Sequence, residues 1–196
     1  MTRGQIVVRD AIPEDAAALL SLWNEAPAGD HTDRPDRHTL SPDPDVGAAV
    51  ARVAADPTER LLVAVLDDEV CGAVHLRRAP ITPIHDEDAI HVDHLHVRAS
   101  LRRKGVGRAL VEAAATWAEE KDSHHLLAIV AATSRDGNRF MARLGFAQVG
   151  VVRAATVTTV RLKLAGDQIV RGADRVLAAR RSLRRRRMAL TRRATR

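Results

Sequence analysis

A short basic turn with two glycines is the part of the sequence whose residue types most directly suggest chemistry. In order, its residues are Arg102, Arg103, Lys104, Gly105, Val106 and Gly107. They stand between a run that predicts a strand and one that predicts a helix. The first amides of a helix lack internal partners and lie at the positive end of its dipole, and glycine lets a ligand approach the backbone. The turn therefore predicts an anion site, most naturally for phosphate, and the alternative is a solvated basic loop.

Two familiar phosphate motifs do not fit this turn. A Walker loop needs two glycines separated by four residues and followed by Lys-Ser or Lys-Thr, and the sequence contains no such run. The dinucleotide fingerprint needs a small residue three positions after Gly107, where Leu110 stands. That fingerprint also normally opens its domain, whereas three predicted strands and two predicted helices precede the strand that leads into this turn. Neither motif is therefore a good description of it.

The elements that must position this turn follow from hydrophobic periodicity and from turn residues. Predicted strands are Ile6 to Arg9, Arg60 to Leu66, Val70 to Leu76, Ile90 to Val97, Leu126 to Ala131, Gln148 to Val152 and Thr156 to Leu164. Predicted helices are Ala16 to Trp23, Val46 to Ala55, Val106 to Glu120 and about Gly137 to Leu144. Two loops, Pro27 to Pro44 and Arg77 to Glu87, interrupt this order. The fully apolar strand at Leu126 predicts burial on both sheet faces.

Two segments, taken together, resemble a known family. The run from Leu95 to Leu110 resembles the coenzyme A signature of the GNAT superfamily, whose core is Gln or Arg, two residues, Gly, one residue, then Gly or Ala. The run from Asn138 to Phe146 resembles the later Asn-to-Gly-Phe helix motif of the same superfamily, and the order of elements also matches. The resemblance implies an acetyl-CoA-dependent N-acetyltransferase. It also implies an α/β (α+β) fold with a mixed, mostly antiparallel sheet of about six to seven strands, splayed fourth and fifth strands, and about four helices.

The resemblance further implies how coenzyme A is held. Backbone amides from Arg103 to Arg108 would bind the pyrophosphate, while Leu95 and Val97 would pair with the pantetheine arm. The Leu95 amide would also bond the acetyl carbonyl, where negative charge develops. Asn138 would bond the lower pantetheine or order the substrate edge. The implied cofactor-binding set is Leu95, His96, Val97, Arg102, Arg103, Lys104, Gly105, Val106, Gly107, Arg108 and Asn138.

Acid and base chemistry is expected from the strand before the turn. An amine of the lysine kind has a pKa of about 10.4, so the enzyme needs a proton acceptor near the thioester. The candidates are His91, Asp93 and His94, and two-residue alternation places His91 and Asp93 on one face with Leu95 unless a bulge intervenes. Some relatives carry an acidic base at the His91 position, and others deprotonate through water. The alternative is that these are satisfied structural polar groups.

Two further observations concern catalysis. Many family members carry a Tyr that protonates the leaving sulfur at the position of Met141, and this chain has no Tyr at all. We therefore expect water or the product ammonium to protonate the thiolate. A cluster of His85, His91, His94 and His96 raises the alternative of a metal site, but it has no cysteine ligand and we expect no metal. Cys71, the only cysteine, lies in an apolar run and is expected to be a packed core thiol.

Composition divides the chain unevenly. Of 196 residues, 45% are hydrophobic and 2% aromatic, which predicts one acetyltransferase domain over residues 1–165 with an aliphatic core. Residues 166–196 form a tail with 11 Arg against 2 Asp, predicted to be helical or partly disordered. An apolar residue recurs there every seven positions, at Ile169, Val176, Leu183 and Leu190. The tail could be a solvated helix, or could contact RNA phosphates, an anionic membrane or a partner subunit.

These features leave several functions open. The first is transfer of an acetyl group from acetyl-CoA to a primary amine, the acceptor being undetermined. The others are a coenzyme A-binding regulatory module with little catalysis and an RNA-associated protein acting through the tail. A homodimer is possible because family members are often dimers. No signal peptide and no run of 18 apolar residues occurs, so we expect a cytoplasmic protein without a transmembrane segment.

Overall fold

The computed structural model describes residues 4–25, 45–84, 86–153 and 155–164. Its strands are β1 (Val7–Asp10), β2 (Glu59–Leu66), β3 (Glu69–Pro80), β4 (Asp88–Val97) and β5 (His125–Ala128). Its helices are α1 (Ala16–Glu25), α2 (Val46–Ala55), α3 (Val106–Glu120) and α4 (Arg135–Arg143). Short 3-10 turns precede α1 at Pro13–Asp15 and α3 at Ala99–Leu101. The predicted loop 27–44 and the predicted tail 166–196 lie outside the described residues.

The five strands form one mixed sheet in the order β1-β2-β3-β4-β5. The first four pair antiparallel, and β4 pairs with β5 in parallel. Parallel neighbours need a crossover connection, which α3 supplies between β4 and β5. The basic turn therefore lies at the start of the helix that links these two strands.

Each face of the sheet packs against different helices. On one face, α3 buries the side predicted from its apolar spacing, including Leu110, Ala114 and Trp117, against Ile90 and Val92 of β4. On the other face, a second apolar cluster brings together residues from α1, α2, β2 and β3: Leu19, Leu22, Val50, Val63, Val70 and Ala73. The sheet thus separates an α3 side from an α1–α2 side.

Gly72 allows α3 to approach the sheet closely. A Cβ atom at this position would lie 2.8 Å from Val106 Cγ1 and 3.0 Å from the His96 carbonyl oxygen. Real Cβ atoms essentially never approach another heavy atom as closely as the first of these distances, so only glycine fits without a shift of strand or helix. The first turn of α3 therefore packs the Val106 side chain directly on the backbone of β3.

The prediction of six to seven strands is wrong, because the described residues contain five. Residues 148–152 join no strand, and residues 157–164 are helical. The Thr156 hydroxyl oxygen accepts a hydrogen bond from the Thr159 amide at 3.0 Å, a capping contact that starts a helix in place of the predicted strand. The expected burial of the fifth strand on both faces is also wrong, since Leu126, Leu127 and Ala128 are only partly buried.

The described residues belong to two compact units. Those up to Val151 belong to the first unit, which contains the whole sheet, and those from Val152 belong to the second. Within the described ranges, no helix combines the length and the apolar composition that crossing a membrane requires.

Candidate active site

The backbone of the basic turn adopts left-handed conformations at two positions. Arg103 has φ 63° and Gly105, the residue before α3, has φ 99°. Only glycine occupies such a conformation without a steric penalty, which explains Gly105. Closely spaced left-handed residues rotate neighbouring amides toward a common side, as in anion-binding nests. The turn is therefore shaped by its backbone.

The amides of this turn are free to bind a ligand. Within the described residues, the N–H groups from Arg103 to Arg108 form no backbone hydrogen bond of standard geometry. The first amide of α3 with a partner is that of Ala109, which donates to the Gly105 carbonyl at 3.0 Å. The side chains of Arg102, Arg103, Lys104 and Arg108 are exposed around these donors. Six successive free donors beside four cations form the expected cradle for a pyrophosphate.

Gly107 has a second role in the same turn. A Cβ atom there would lie 3.4 Å from Phe140 Cζ and 3.7 Å from Val97 Cγ2, so this glycine faces both α4 and β4. A larger side chain would push α3 away from these neighbours. The two segments that carry the family resemblance thus meet at Gly107 and Phe140.

An opening begins where β5 ends. The parallel ladder covers Ala89 to Val92 of β4, and β4 then continues to Val97 without a β5 partner among the described residues. His94 at φ 52° forms a bulge against β3. After this bulge, Leu95 and Val97 pack against the α3-side core. The two residues expected to pair with pantetheine therefore flank the opening on the α3 side.

The bulge separates Leu95 from the candidate bases. Ile90 and Val92 face α3, so His91 and Asp93 point to the opposite, α1–α2 side. They do not share a face with Leu95, because the bulge named as the exception to that expectation is present. Asp93 is buried to 7% exposure, and its Oδ1 has no hydrogen-bond partner among the described residues. The buried Nε2 of His91 likewise has none. Buried polar atoms almost always have partners, so two unpartnered atoms this close along one strand are unusual.

The other two β4 histidines contact an aromatic ring of α1. The ring centroid of Trp23 lies 4.6 Å from that of His96 and 6.2 Å from that of His94. His96 is 7% exposed and is thus part of the packing between α1 and β4, on the side away from the predicted pantetheine path. No group of three potential metal ligands occurs within the described residues, and His85 lies outside them.

Asn138 and Met141 lie on α4. The Asn138 side-chain amide donates to the carbonyls of Ala131 at 3.0 Å and Ser134 at 2.7 Å, so it fixes the connection between β5 and α4. Its predicted contact with pantetheine stays a prediction. Met141 is 7% exposed and presents no acidic group at the position where many relatives carry Tyr.

Sequence reasoning missed a group of polar side chains on β2 and β3. Strand β3 extends to Pro80 and therefore includes Arg77, which was expected in a loop. Arg77 is the cross-strand partner of His91, and its Nη2 donates to Asp93 Oδ2 at 3.2 Å. Nearby, His75 Nε2 contacts Glu59 Oε2 at 2.8 Å. These residues lie beside the candidate bases because of the pairing of β3 with β2 and β4, which the sequence pattern alone does not reveal.

Cys71 does not contribute a nucleophile. Its side chain is fully buried and donates to the Ala64 carbonyl at 3.2 Å. Burial raises the pKa of the Cys71 thiol, so it stays protonated near neutral pH. The expectation of a packed core thiol is confirmed.

Comparisons with known proteins agree with this geometry. A family model described as the Acetyltransferase (GNAT) family matches residues 16–146. The D-amino-acid N-acetyltransferase HPA3 of Saccharomyces cerevisiae is 30% identical over 124 residues, which cover 61% of this chain and 71% of that protein.

Solved structures show the same fold at low identity. A transcriptional regulator from Bacillus halodurans C-125 is 18% identical with a TM-score of 0.66, covering 78% of this chain and 99% of that one. The aminoglycoside N-acetyltransferase AAC(6')-Iy in complex with CoA is 14% identical with a TM-score of 0.63, covering 79% and 96%. At these identities the likeness concerns the fold alone. The family match spans most of the chain, including β4, the basic turn and α4, and the chain therefore belongs to the GNAT family of acetyltransferases.

Proposed function

We propose that this protein transfers the acetyl group of acetyl-CoA to a primary amine. The observation that carries the proposal is the series of unpartnered amides from Arg103 to Arg108, which suits the pyrophosphate of the donor that the family uses. From this turn, the pantetheine arm would extend along Leu95 and Val97 into the opening beyond Val92. This path would bring the thioester to the part of β4 that carries Asp93.

The acceptor amine would bind on the α1–α2 side of β4. Asp93 Oδ1 and His91 Nε2 are buried and unpartnered in the described part of the chain, and an ammonium group would supply donors to both. A neutral imidazole protonated at Nδ1 leaves Nε2 as an acceptor. Asp93, assisted by His91, is therefore the proposed base, and His94 at the bulge is placed against Trp23 instead.

The proposed reaction accounts for the two protons that the acceptor ammonium loses on becoming an amide. The first proton passes to Asp93 or His91 before attack, because only the neutral amine has a lone pair. The nitrogen then bonds to the carbonyl carbon, forming a tetrahedral intermediate whose oxyanion the Leu95 amide would stabilise. The carbon–sulfur bond breaks as the carbonyl re-forms. The nitrogen loses its second proton, directly or through water, to the departing thiolate, and the base releases the first proton to solvent.

The leaving group needs little assistance in this proposal. No Tyr exists in the chain, and a thiol has an unperturbed pKa of about 8.5, so its thiolate is a moderately good leaving group. Water, or the positively charged nitrogen of the tetrahedral intermediate, would protonate it. Met141 would then serve only to pack α4.

The first test is calorimetric titration of acetyl-CoA into the full chain and into Gly105→Val. The intact protein should bind with a Kd in the micromolar range. The variant should lose about 10- to 100-fold in affinity, because valine cannot hold φ 99° and the amides would turn away from the ligand. Gly145→Val is the matched control, since Gly145 has φ 93°, lies outside the turn, and has no described residue within 4 Å of an added Cβ.

Two results would contradict the proposal in different ways. Absence of acetyl-CoA binding to the intact protein would remove the cofactor site itself. Binding without acceptor-dependent thiol release, across a panel of primary amines that includes D-amino acids, would leave a coenzyme A-binding module without transferase activity. D-amino acids belong in the panel because the yeast relative is named for them.

A further inference from the structure

The pair formed by Arg77 and Asp93 is incomplete. A single contact, Arg77 Nη2 to Asp93 Oδ2 at 3.2 Å, joins them. The second Asp93 oxygen is buried without a partner in the described ranges, and the Arg77 side chain is 41% exposed. A guanidinium has five N–H donors, of which this contact uses one. Both partners therefore retain unused bonding capacity at the same place.

Two other Arg–Asp pairs in the chain show what a completed pair looks like. Arg9 bonds both oxygens of Asp15 at 2.6 and 2.9 Å, and Arg60 bonds both oxygens of Asp10 at 2.9 and 2.7 Å. Bidentate geometry is the strong form of this interaction. The single, longer bond at Asp93 therefore leaves one Asp93 oxygen and most of the Arg77 donors unused by this pair.

The remaining charges around Arg77 do not complete the pair. Its cross-strand neighbour on β2 is Glu59, which contacts His75 at 2.8 Å instead. On the β4 side its cross-strand neighbour is His91, whose buried Nε2 is also without a partner in the described residues. The site thus offers a cationic fork beside two acceptors, one of them anionic.

We propose that the acceptor carries a carboxylate on the carbon next to its amine, as an α-amino acid does. Its amine would satisfy Asp93 Oδ1 and His91 Nε2, and its carboxylate would bind the free donors of Arg77. Arg77 is then a specificity-determining residue that favours zwitterionic acceptors over simple amines. This inference rests on the proposed acetyl transfer and on the placement of the acceptor at Asp93.

The test compares each amino acid with the amine that lacks its carboxylate. Both enantiomers of leucine and phenylalanine are assayed against isopentylamine and phenethylamine by thiol release at saturating acetyl-CoA. The intact enzyme should show a higher kcat/KM for the amino acids. Arg77→Gln should lower the ratio of amino acid to amine kcat/KM about 10- to 100-fold, mainly through KM, since a charged hydrogen-bonded contact is lost.

Two further variants make the assay specific. Arg77→Lys keeps the charge but not the fork and should restore part of the ratio. Arg78→Gln is the matched control, because Arg78 is similarly exposed at 38%, points to the other face of β3 and pairs with Asp88. Its ratio should equal that of the intact enzyme.

The outcomes separate this inference from the proposed function. Turnover of simple amines with no preference for amino acids, or an unchanged ratio in Arg77→Gln, would overturn the inference and leave acetyl transfer standing. Absence of thiol release with every acceptor would overturn both.

Discussion

The two proposed binding regions use different kinds of chemical group. One is the donor turn, Arg102 to Arg108, and the other is the acceptor group, which consists of Arg77, His91 and Asp93. The donor turn presents unpartnered backbone amides, shaped by left-handed residues and surrounded by exposed cations. The acceptor group presents side-chain atoms on β3 and β4, and the key oxygen of Asp93 is shielded from solvent. One site depends on how the chain turns, the other on which side chains it carries.

This difference teaches where each site is vulnerable. A backbone site tolerates changes of its exposed side chains but not of its turn geometry. A side-chain site can lose its function when a single atom is replaced, because a polar interaction in a buried site is stronger than the same interaction in water. The following variants test that distinction.

The largest effect is expected from Asp93→Asn. An amide cannot accept the proton that the acceptor ammonium must lose, and a positioned base typically contributes about 10²- to 10⁴-fold in rate. We therefore expect kcat/KM to fall by about that factor. Calorimetry should show an unchanged Kd for acetyl-CoA, because the donor turn is separate from Asp93.

Asp88→Asn is the control for this variant. Asp88 begins the same strand and pairs with Arg78, away from the opening. Equal losses of activity in both variants would point to a general effect on β4 and contradict a catalytic role for Asp93.

Gly72→Ala should have the next largest effect, on stability. The added Cβ would meet Val106 Cγ1 at 2.8 Å and the His96 carbonyl at 3.0 Å, and the backbone oxygen cannot move aside alone. Overpacking of this kind costs about 1 to 3 kcal/mol in the free energy of unfolding. Because Val106 belongs to the donor turn, acetyl-CoA affinity should fall as well.

Urea unfolding measures this cost against Gly47→Ala. Among the described residues, a Cβ at Gly47 in α2 meets only Asp45 Oδ1, at 3.6 Å, so alanine should stabilise that helix by about 0.5 kcal/mol. A Gly72 variant as stable as the Gly47 variant would show that α3 can withdraw from β3 without penalty.

The same contrast explains what the sequence predicts well. The bounds of α3 match the prediction, because Gly105 and the apolar spacing from Val106 onward are local features. The last two predicted strands do not form, because β-branched residues favour a strand only where a partner strand is available. Residues 157–164 form a helix instead, and the Thr156 hydroxyl caps its first turn.

The donor turn was predictable and the acceptor group was not, for a related reason. A left-handed glycine before a helix is encoded in a few consecutive residues. The face on which Asp93 lies depends on a bulge at His94, a non-glycine residue that carries no sign of its φ of 52°. Arg77 joins the site only because β3 continues past Leu76 and pairs with β4.

Replacing Arg103 and Lys104 together by alanine should have a smaller effect than altering the turn. Both side chains are exposed, and exposed charges contribute little in water. We expect the Kd for acetyl-CoA to rise about tenfold at low salt and the difference to shrink at high salt, as screening removes the charge contribution. A loss larger than that of Gly105→Val would mean that the cations, and not the amides, hold the pyrophosphate.

The smallest effect is expected from Asp15→Asn, which tests how α1 reaches the acceptor side. Asp15 accepts hydrogen bonds from Arg9 and from the Ile12 amide just before α1, the helix that carries Trp23 to His96. The hydrogen bonds from the Arg9 guanidinium hold the pKa of the Asp15 carboxyl below its ordinary value.

A lowered folded-state pKa stabilises the fold above the ordinary pKa of about 3.9, and this contribution is lost as pH falls through the folded-state value. The variant should therefore lose about 1 kcal/mol of unfolding free energy near neutral pH and converge with the intact protein in acid. Urea unfolding over a pH series checks this, and a difference that persists or grows in acid would show that packing, not the carboxylate charge, explains the loss.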